Sequence, residues 1–165
     1  MAIVETLEAT LKPWADFYGH TKLVQAGVEF LHVAGLLVGG GFALASDRLA
    51  LRALRADDAQ KAFVLREFST IHTPVVLALA VSVASGLLML ASDVGTFLVS
   101  PVFWTKMVLV AALLANGYMV KRTDEALNAD PSSGNRAWAR FKFGAIASIA
   151  LWLSTTLAGV ILLNS

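Results

Sequence analysis

The sequence predicts an all-α protein, an integral membrane four-helix bundle that forms a single domain over residues 1–165. The chain is 57% hydrophobic and 15% charged, which is more apolar and less charged than a typical soluble domain. The apolar residues are concentrated in four long runs, at about 23–46, 71–91, 102–120 and 143–163. A helix needs about 20 apolar residues to cross roughly 30 Å of hydrocarbon, so each run is long enough to span a bilayer once.

The first twenty residues predict a short helix that lies along the membrane surface. Leu7, Leu11, Trp14 and Phe17 recur at helical spacing, and the two aromatic residues come just before the first span. Aromatic side chains of this kind favour the headgroup region. The segment has acidic residues where a cleaved signal peptide has basic ones, so we do not expect it to be removed. Pro13 is expected to kink or divide the helix.

Basic residues predict how the spans are oriented. The segments that follow spans one and three hold ten Lys and Arg residues, whereas the opposite side has only Lys12 and Lys22. Because Lys and Arg accumulate in cytoplasmic loops, both termini are expected to be non-cytoplasmic. Topology accounts for these charges, so we expect a lipid bilayer and not a nucleic acid as the partner of the chain. The ten residues are Arg48, Arg52, Arg55, Lys61, Arg66, Lys121, Arg122, Arg136, Arg140 and Lys142.

Span one contains two ionisable residues, Glu29 and His32, within the stretch VEFLHVAGLLVGGGFALAS. Helical spacing puts both on the same face as Gly39, and Gly35 flanks that face. Ionisable residues inside a span usually face the bundle interior and mark a functional site. Small residues beside them allow close approach by another helix or by a flat cofactor such as a porphyrin. We therefore interpret these four residues as candidate cofactor-binding residues.

Depth along the helices separates the candidates into two layers. Glu29 lies roughly 9 Å and Lys106 of span three roughly 6 Å below the outer boundary, and an ion pair between them is the favoured structural account. His32, roughly 14 Å deep, belongs to the same outer layer. His72 enters span two near the other surface, with Asn116 close to its level, and differs from His32 by roughly 18 Å in depth. This difference in depth disfavours a single haem or metal ion held by both His32 and His72, although a tilted helix would reduce it.

The residue inventory limits which cofactors the chain can hold. It has no cysteine, which excludes thiolate zinc sites, cysteine-ligated iron–sulfur clusters and covalent c-type haem. Haem b, a metal ion at His32 or His72, and a quinone headgroup in either layer remain candidates. Lys106 and His72 also have interpretations that need no cofactor. The Lys106 side chain can extend to the membrane interface, and His72 can be a histidine at a helix start that is held by hydrogen bonds.

Residues 22–122 resemble a group of poorly characterised bacterial four-span membrane proteins related to the copper-resistance D-type proteins and to the membrane-type protoporphyrinogen oxidase. The matching features are His32, the pair Asp47 and Arg48, and the segment FWTK that contains Lys106. In the oxidase family a first-span His and a third-span Lys are thought to serve a haem site, which the resemblance maps onto His32 and Lys106. The chain lacks that family's Pro-Arg element and the Met-rich character of copper handling. The resemblance implies a multi-pass protein of the bacterial cytoplasmic (inner) membrane and does not imply a reaction.

Three functions follow from these residues, and they leave open whether the chain is an enzyme. The leading one is a cytochrome b-like protein that transfers electrons in the membrane, with His32 as axial haem ligand and Lys106 or His72 as the second. The second is an accessory or structural subunit of a larger membrane complex, or a homo-oligomer, whose N-terminal helix packs on a partner. The third is a metal- or solute-handling protein that uses Glu29 and His32 as a coordinating or proton-carrying pair.

Overall fold

A computed structural model describes residues 2–54, 57–129 and 134–164, and these residues form helices and no strand. The all-α class is therefore confirmed. Four of the helices are long and apolar enough to cross a membrane, which confirms the number of candidate spans. The helices are α1 (Ala2–His20), α2 (Lys22–Ala53), α3 (Asp58–Ser92), α4 (Val94–Val99), α5 (Pro101–Ala129) and α6 (Gly134–Leu163).

The four long helices continue past the predicted spans at one end of the bundle. Helix α2 ends at Ala53 and not near 46, while α3 begins at Asp58 and not near 71. With 35 residues, α3 is about 52 Å long, well beyond the roughly 30 Å of a hydrocarbon core. The segments that follow spans one and three are therefore largely helical. We call this end, where α2 and α5 finish and α3 and α6 begin, the hairpin end, and we call the opposite end the α1 end.

A compact apolar core explains why the helices continue at the hairpin end. All four long helices contribute to it, and several of its side chains are almost fully buried. Asp57 caps the start of α3, where its side chain accepts a hydrogen bond from the Gln60 backbone N–H at 2.8 Å, the usual role of an N-terminal Asp. The core residues are Ala50, Leu65, Val120, Leu127, Phe141 and Ala145.

The bundle consists of two helical hairpins. Helix α2 packs along α3, α5 packs along α6, and contacts between α2 and α6 join the hairpins, whereas α3 and α5 meet less closely. Glycines set the closest approaches, as expected for helices that pack through small residues. A Cβ on Gly35 would come 2.6 Å from the carbonyl oxygen of Ala78 in α3. A Cβ on Gly39 or Gly40 would lie 3.3 or 3.2 Å from the Trp152 ring in α6.

Helix α1 lies across the α1 end of its own bundle, in contact with α2, α3 and α4. It runs through Pro13 as one helix, so the expected division does not occur. The indole N–H of Trp14 donates to the Leu88 carbonyl oxygen at 2.9 Å, and Glu8 lies against Gly95. The segment between the predicted second and third spans contains the six-residue α4, and Asp93 caps the N-terminus of this helix.

Candidate functional site

The structure brings His32 of α2 and Lys106 of α5 into direct contact between the two hairpins. The Lys106 ammonium lies 3.4 Å from Nε2 of His32, and both side chains are partly buried. The other ring nitrogen, Nδ1, lies 2.7 Å from the carbonyl oxygen of Ser82. Because a carbonyl oxygen only accepts, Nδ1 carries the proton and Nε2 presents its lone pair. This is the tautomer in which a histidine acts as an Nε2 ligand.

Helix α3 provides a small, polar face for the His32 ring. Ser82 and Ser85 are buried, and both hydroxyl oxygens lie 3.4 Å from Nδ1 of His32. Ala78, Ser82 and Gly86 follow one another at four-residue spacing, which places them on one face and is typical of close helix packing in membranes. This spacing is the sequence signal from which the α3 side of the site could have been identified.

Glycines flank both members of the His32–Lys106 pair. A Cβ on Gly86 would come 3.1 Å from Cε1 of His32, and a Cβ on Gly159 of α6 would lie 3.5 Å from Nζ of Lys106. One turn before Gly159, Thr155 is buried, and its hydroxyl has no hydrogen-bond partner among the residues that the structure describes. Both hairpins therefore contribute one nitrogen base and one adjoining glycine to this layer.

Glu29 does not take part in this contact. Its side chain is exposed, and no ion pair joins it to Lys106 in the described part of the chain. The Glu29 carboxylate acts instead on Tyr18 of α1, where burial and then this negative charge raise the pKa of the phenol. The predicted Glu29–Lys106 pair does not form because the buried face of α2 includes Val28, one position away from Glu29.

The space beside Gly35 and Gly39 is filled by the protein. A Cβ on Gly35 would come 2.9 Å from Cβ of Ser82, and one on Gly39 would come 3.3 Å from both Ala78 and Trp152. In this structure the two glycines allow helices to approach one another. The small size of Gly35 and Gly39 predicted space for a flat cofactor, but α3 and the Trp152 indole fill that space.

His72 lies at a different level of the bundle from His32. The His32 ring contacts Ser82 and Gly86 of α3, and His72 precedes these residues in the same helix by ten and fourteen positions. The separation along the helix is roughly 15–21 Å, so the two imidazoles do not share a site. His72 instead lines a cavity with Asp47 and Asn116. No group of three or more His, Asp or Glu residues in the described ranges could hold a metal ion.

Comparisons of the chain with protein-family models, with curated proteins and with solved structures found no match. The resemblance of residues 22–122 to the oxidase-related membrane proteins therefore stays a prediction. The function has to be argued from the His32–Lys106 contact and its surroundings.

Proposed function

We propose that the chain is a membrane protein that binds haem b between its two hairpins and passes electrons within the bilayer, and that His32 and Lys106 would hold the haem iron. The observation that supports this most directly is that each hairpin brings one nitrogen base to the same point in an apolar bundle, where the two atoms lie 3.4 Å apart. Because they are in direct contact and the neighbouring space is filled by protein, α2 and α5 would have to separate to admit the porphyrin. A lysine in such a place is costly unless a partner compensates it, and the described residues offer Lys106 no paired carboxylate. A group that both nitrogens bind would account for the arrangement. Lys106 would bind it as the neutral amine, because an ammonium has no lone pair.

The donor chemistry of the site fits a haem iron better than a bare metal ion. A haem iron needs only one or two protein ligands, whereas a bare ion needs a larger set, which the described residues do not assemble. The Ser82 carbonyl oxygen holds the His32 ring so that Nε2 faces Lys106, the outer-shell contact typical of ligating histidines. Haem would supply one-electron chemistry, while the protein supplies the ligands and the apolar surroundings.

The proposed setting is the bacterial cytoplasmic membrane, with both termini outside the cytoplasm. The distribution of charge supports this orientation. Ten of the thirteen basic residues fall in the segments 47–66 and 121–142, which surround the connections of the hairpin end. Positive charge of this kind stays on the cytoplasmic side. The His32–Lys106 layer then lies in the outer half of the membrane, because His32 is eleven residues into α2 from the α1 end.

An absorption spectrum of the detergent-purified protein, oxidised and then reduced with dithionite, tests the proposal. We expect Soret and α bands at about one haem per chain. His32→Ala should remove these bands, and Lys106→Ala should remove or shift them. His20→Ala is the matched control, since His20 is exposed on α1 and should leave the spectrum unchanged.

A featureless spectrum from folded protein produced with ample haem would contradict the proposal. Full haem occupancy in His32→Ala would also contradict it. A featureless spectrum together with a partner that co-purifies in fixed stoichiometry would support the accessory-subunit alternative, in which His32 and Lys106 only hold the hairpins together.

A further inference from the structure

A second candidate site lies toward the hairpin end, between α3 and α5. A cavity of about 280 Å³ has its floor on α2 and α6 and its walls on α3 and α5. Asp47, Ser148 and Trp152 belong to the floor. The walls are mainly aliphatic and include Ile71, Val75, Val76, Leu79, Leu113 and Leu114.

The floor of the cavity contains a buried carboxylate whose hydrogen bonding is incomplete. Asp47 is only 2% exposed, whereas its neighbour Arg48 is exposed. The Ser148 hydroxyl donates to the Asp47 carboxylate, but Oδ2 has no hydrogen-bond partner in residues 2–54, 57–129 and 134–164. A buried acceptor without a donor is unfavourable, and more so when it is charged. A ligand that brings a hydroxyl to Oδ2 would remove this cost.

The entrance to the cavity faces sideways, between α3 and α5. The lining residues that are exposed all come from these two helices, and they include Val76, Leu114 and Tyr118 at 60%, 50% and 60% exposure. Both helices are apolar enough to cross a membrane, so the entrance opens toward lipid along most of its length, while the exposed Lys121 lines it at the hairpin end. A molecule that enters from the membrane must itself be lipid-soluble.

We propose that this cavity binds the headgroup of a lipid-soluble hydroquinone, with one ring hydroxyl donating to Oδ2 of Asp47. A volume of about 280 Å³ lies just below the range of drug-sized ligand sites, so the cavity suits a single ring and not a porphyrin. The aliphatic walls contact the faces of the ring, and the apolar tail leaves between α3 and α5. His72 and Asn116, which also line the cavity, provide polar contacts for the second ring oxygen.

Asp47 would bind a hydroxyl group on an apolar molecule. A diacylglycerol also has such a hydroxyl group. The test therefore compares three probes on the full-length protein in nanodiscs under argon: decylhydroquinone, its dimethyl ether and dioctanoylglycerol. We expect saturable binding of one decylhydroquinone per chain. The ether, which has no donor, and the diacylglycerol, which has no ring, should bind at least tenfold more weakly. Binding of either control probe as tight as that of the hydroquinone would overturn the proposal.

Two variants locate the binding. Asp47→Asn should weaken decylhydroquinone binding about tenfold, because a hydrogen bond to a carboxylate is stronger than one to an amide. Gly117→Leu should abolish binding. Gly117 lines the cavity, and a Cβ there meets no described atom within 4 Å, so the new side chain starts in open space beside the cavity.

Gly41→Leu is the matched control for the cavity variant. A Cβ on Gly41 likewise meets nothing within 4 Å in the described structure, and Gly41 does not line the cavity. This variant should bind decylhydroquinone as the unmodified protein does. Equal binding by Gly117→Leu and Gly41→Leu, or no saturable binding to the unmodified protein, would overturn the proposal. Because haem binding is read from the absorption bands, the haem proposal and this one can fail separately.

Discussion

The imidazole of His32 shows how one hydrogen bond determines what a side chain can do in an apolar bundle. The Ser82 carbonyl oxygen holds the proton on Nδ1, so Nε2 is left as an acceptor for Lys106. The sequence placed His32 and Lys106 in the same layer, and the structure brings them into contact. The predicted Glu29–Lys106 ion pair was wrong, because Glu29 and Val28 differ by one position, about 100° around the helix, and the sequence does not fix the rotation of α2 to that precision.

The glycine next to the His32 ring gives the first prediction. Gly86→Ala should displace the imidazole and lower the ratio of haem to protein, because the new Cβ would lie 3.1 Å from Cε1 of His32. Gly27→Ala is the control, since a Cβ there meets nothing within 4 Å in the described structure. It should keep full occupancy and gain stability by about 0.5–1 kcal/mol. Full occupancy in Gly86→Ala would count against a ligand role for His32.

Glu29 gives a prediction about ionisation. In a Tyr118→Phe background, Glu29→Gln should lower the pKa of Tyr18, since the Glu29 charge is the second cause of its rise. The measurement is the absorbance of tyrosinate as pH is raised. Because the folded pKa is raised, the stability that the Tyr18 proton contributes is complete below about pH 10 and is lost as pH rises through the folded value. A change in haem occupancy in Glu29→Gln would instead link Glu29 to Lys106.

At the scale of the helices, the four spans were predictable from hydropathy but their ends were not. The charged residues at the hairpin end lower the hydropathy, so the sequence predicted loops there. The helices continue instead because the apolar core that includes Ala50, Leu65 and Leu127 holds them together. Helix α4 escaped prediction because six residues are too few for a periodic pattern. Pro13 does not end α1, since the helix is held by contacts such as the one from Trp14 to Leu88.

Close approach of α2 and α3 gives a prediction at this scale. Gly35→Ala should lower the free energy of unfolding by roughly 1–3 kcal/mol, because its Cβ would lie 2.6 Å from the backbone oxygen of Ala78, which cannot move aside as a side chain can. Denaturant unfolding in detergent measures the change. Gly41→Ala, where the Cβ meets no described atom within 4 Å, should be neutral or stabilising. Equal stability of the two variants would mean that the contact between α2 and α3 is looser than described.

At the scale of the whole molecule, the proposed orientation can be tested cleanly because the chain has no cysteine. Asn164→Cys lies at the α1 end and Ala59→Cys at the hairpin end, and both positions are exposed. In intact cells a membrane-impermeant maleimide should label Asn164→Cys, whereas Ala59→Cys should react only after the membrane is opened. The reverse pattern would place the termini in the cytoplasm.

The division of the His32–Lys106 site between two hairpins has a consequence for biogenesis. The ribosome completes the α2–α3 hairpin before it reaches Lys106, so a nascent chain can insert half of the bundle while the site does not yet exist. The two nitrogen atoms meet only after α5 and α6 have docked against α2. A cofactor at this layer would therefore bind only after both hairpins have assembled. Its presence would distinguish complete bundles from chains in which only the α2–α3 hairpin has inserted.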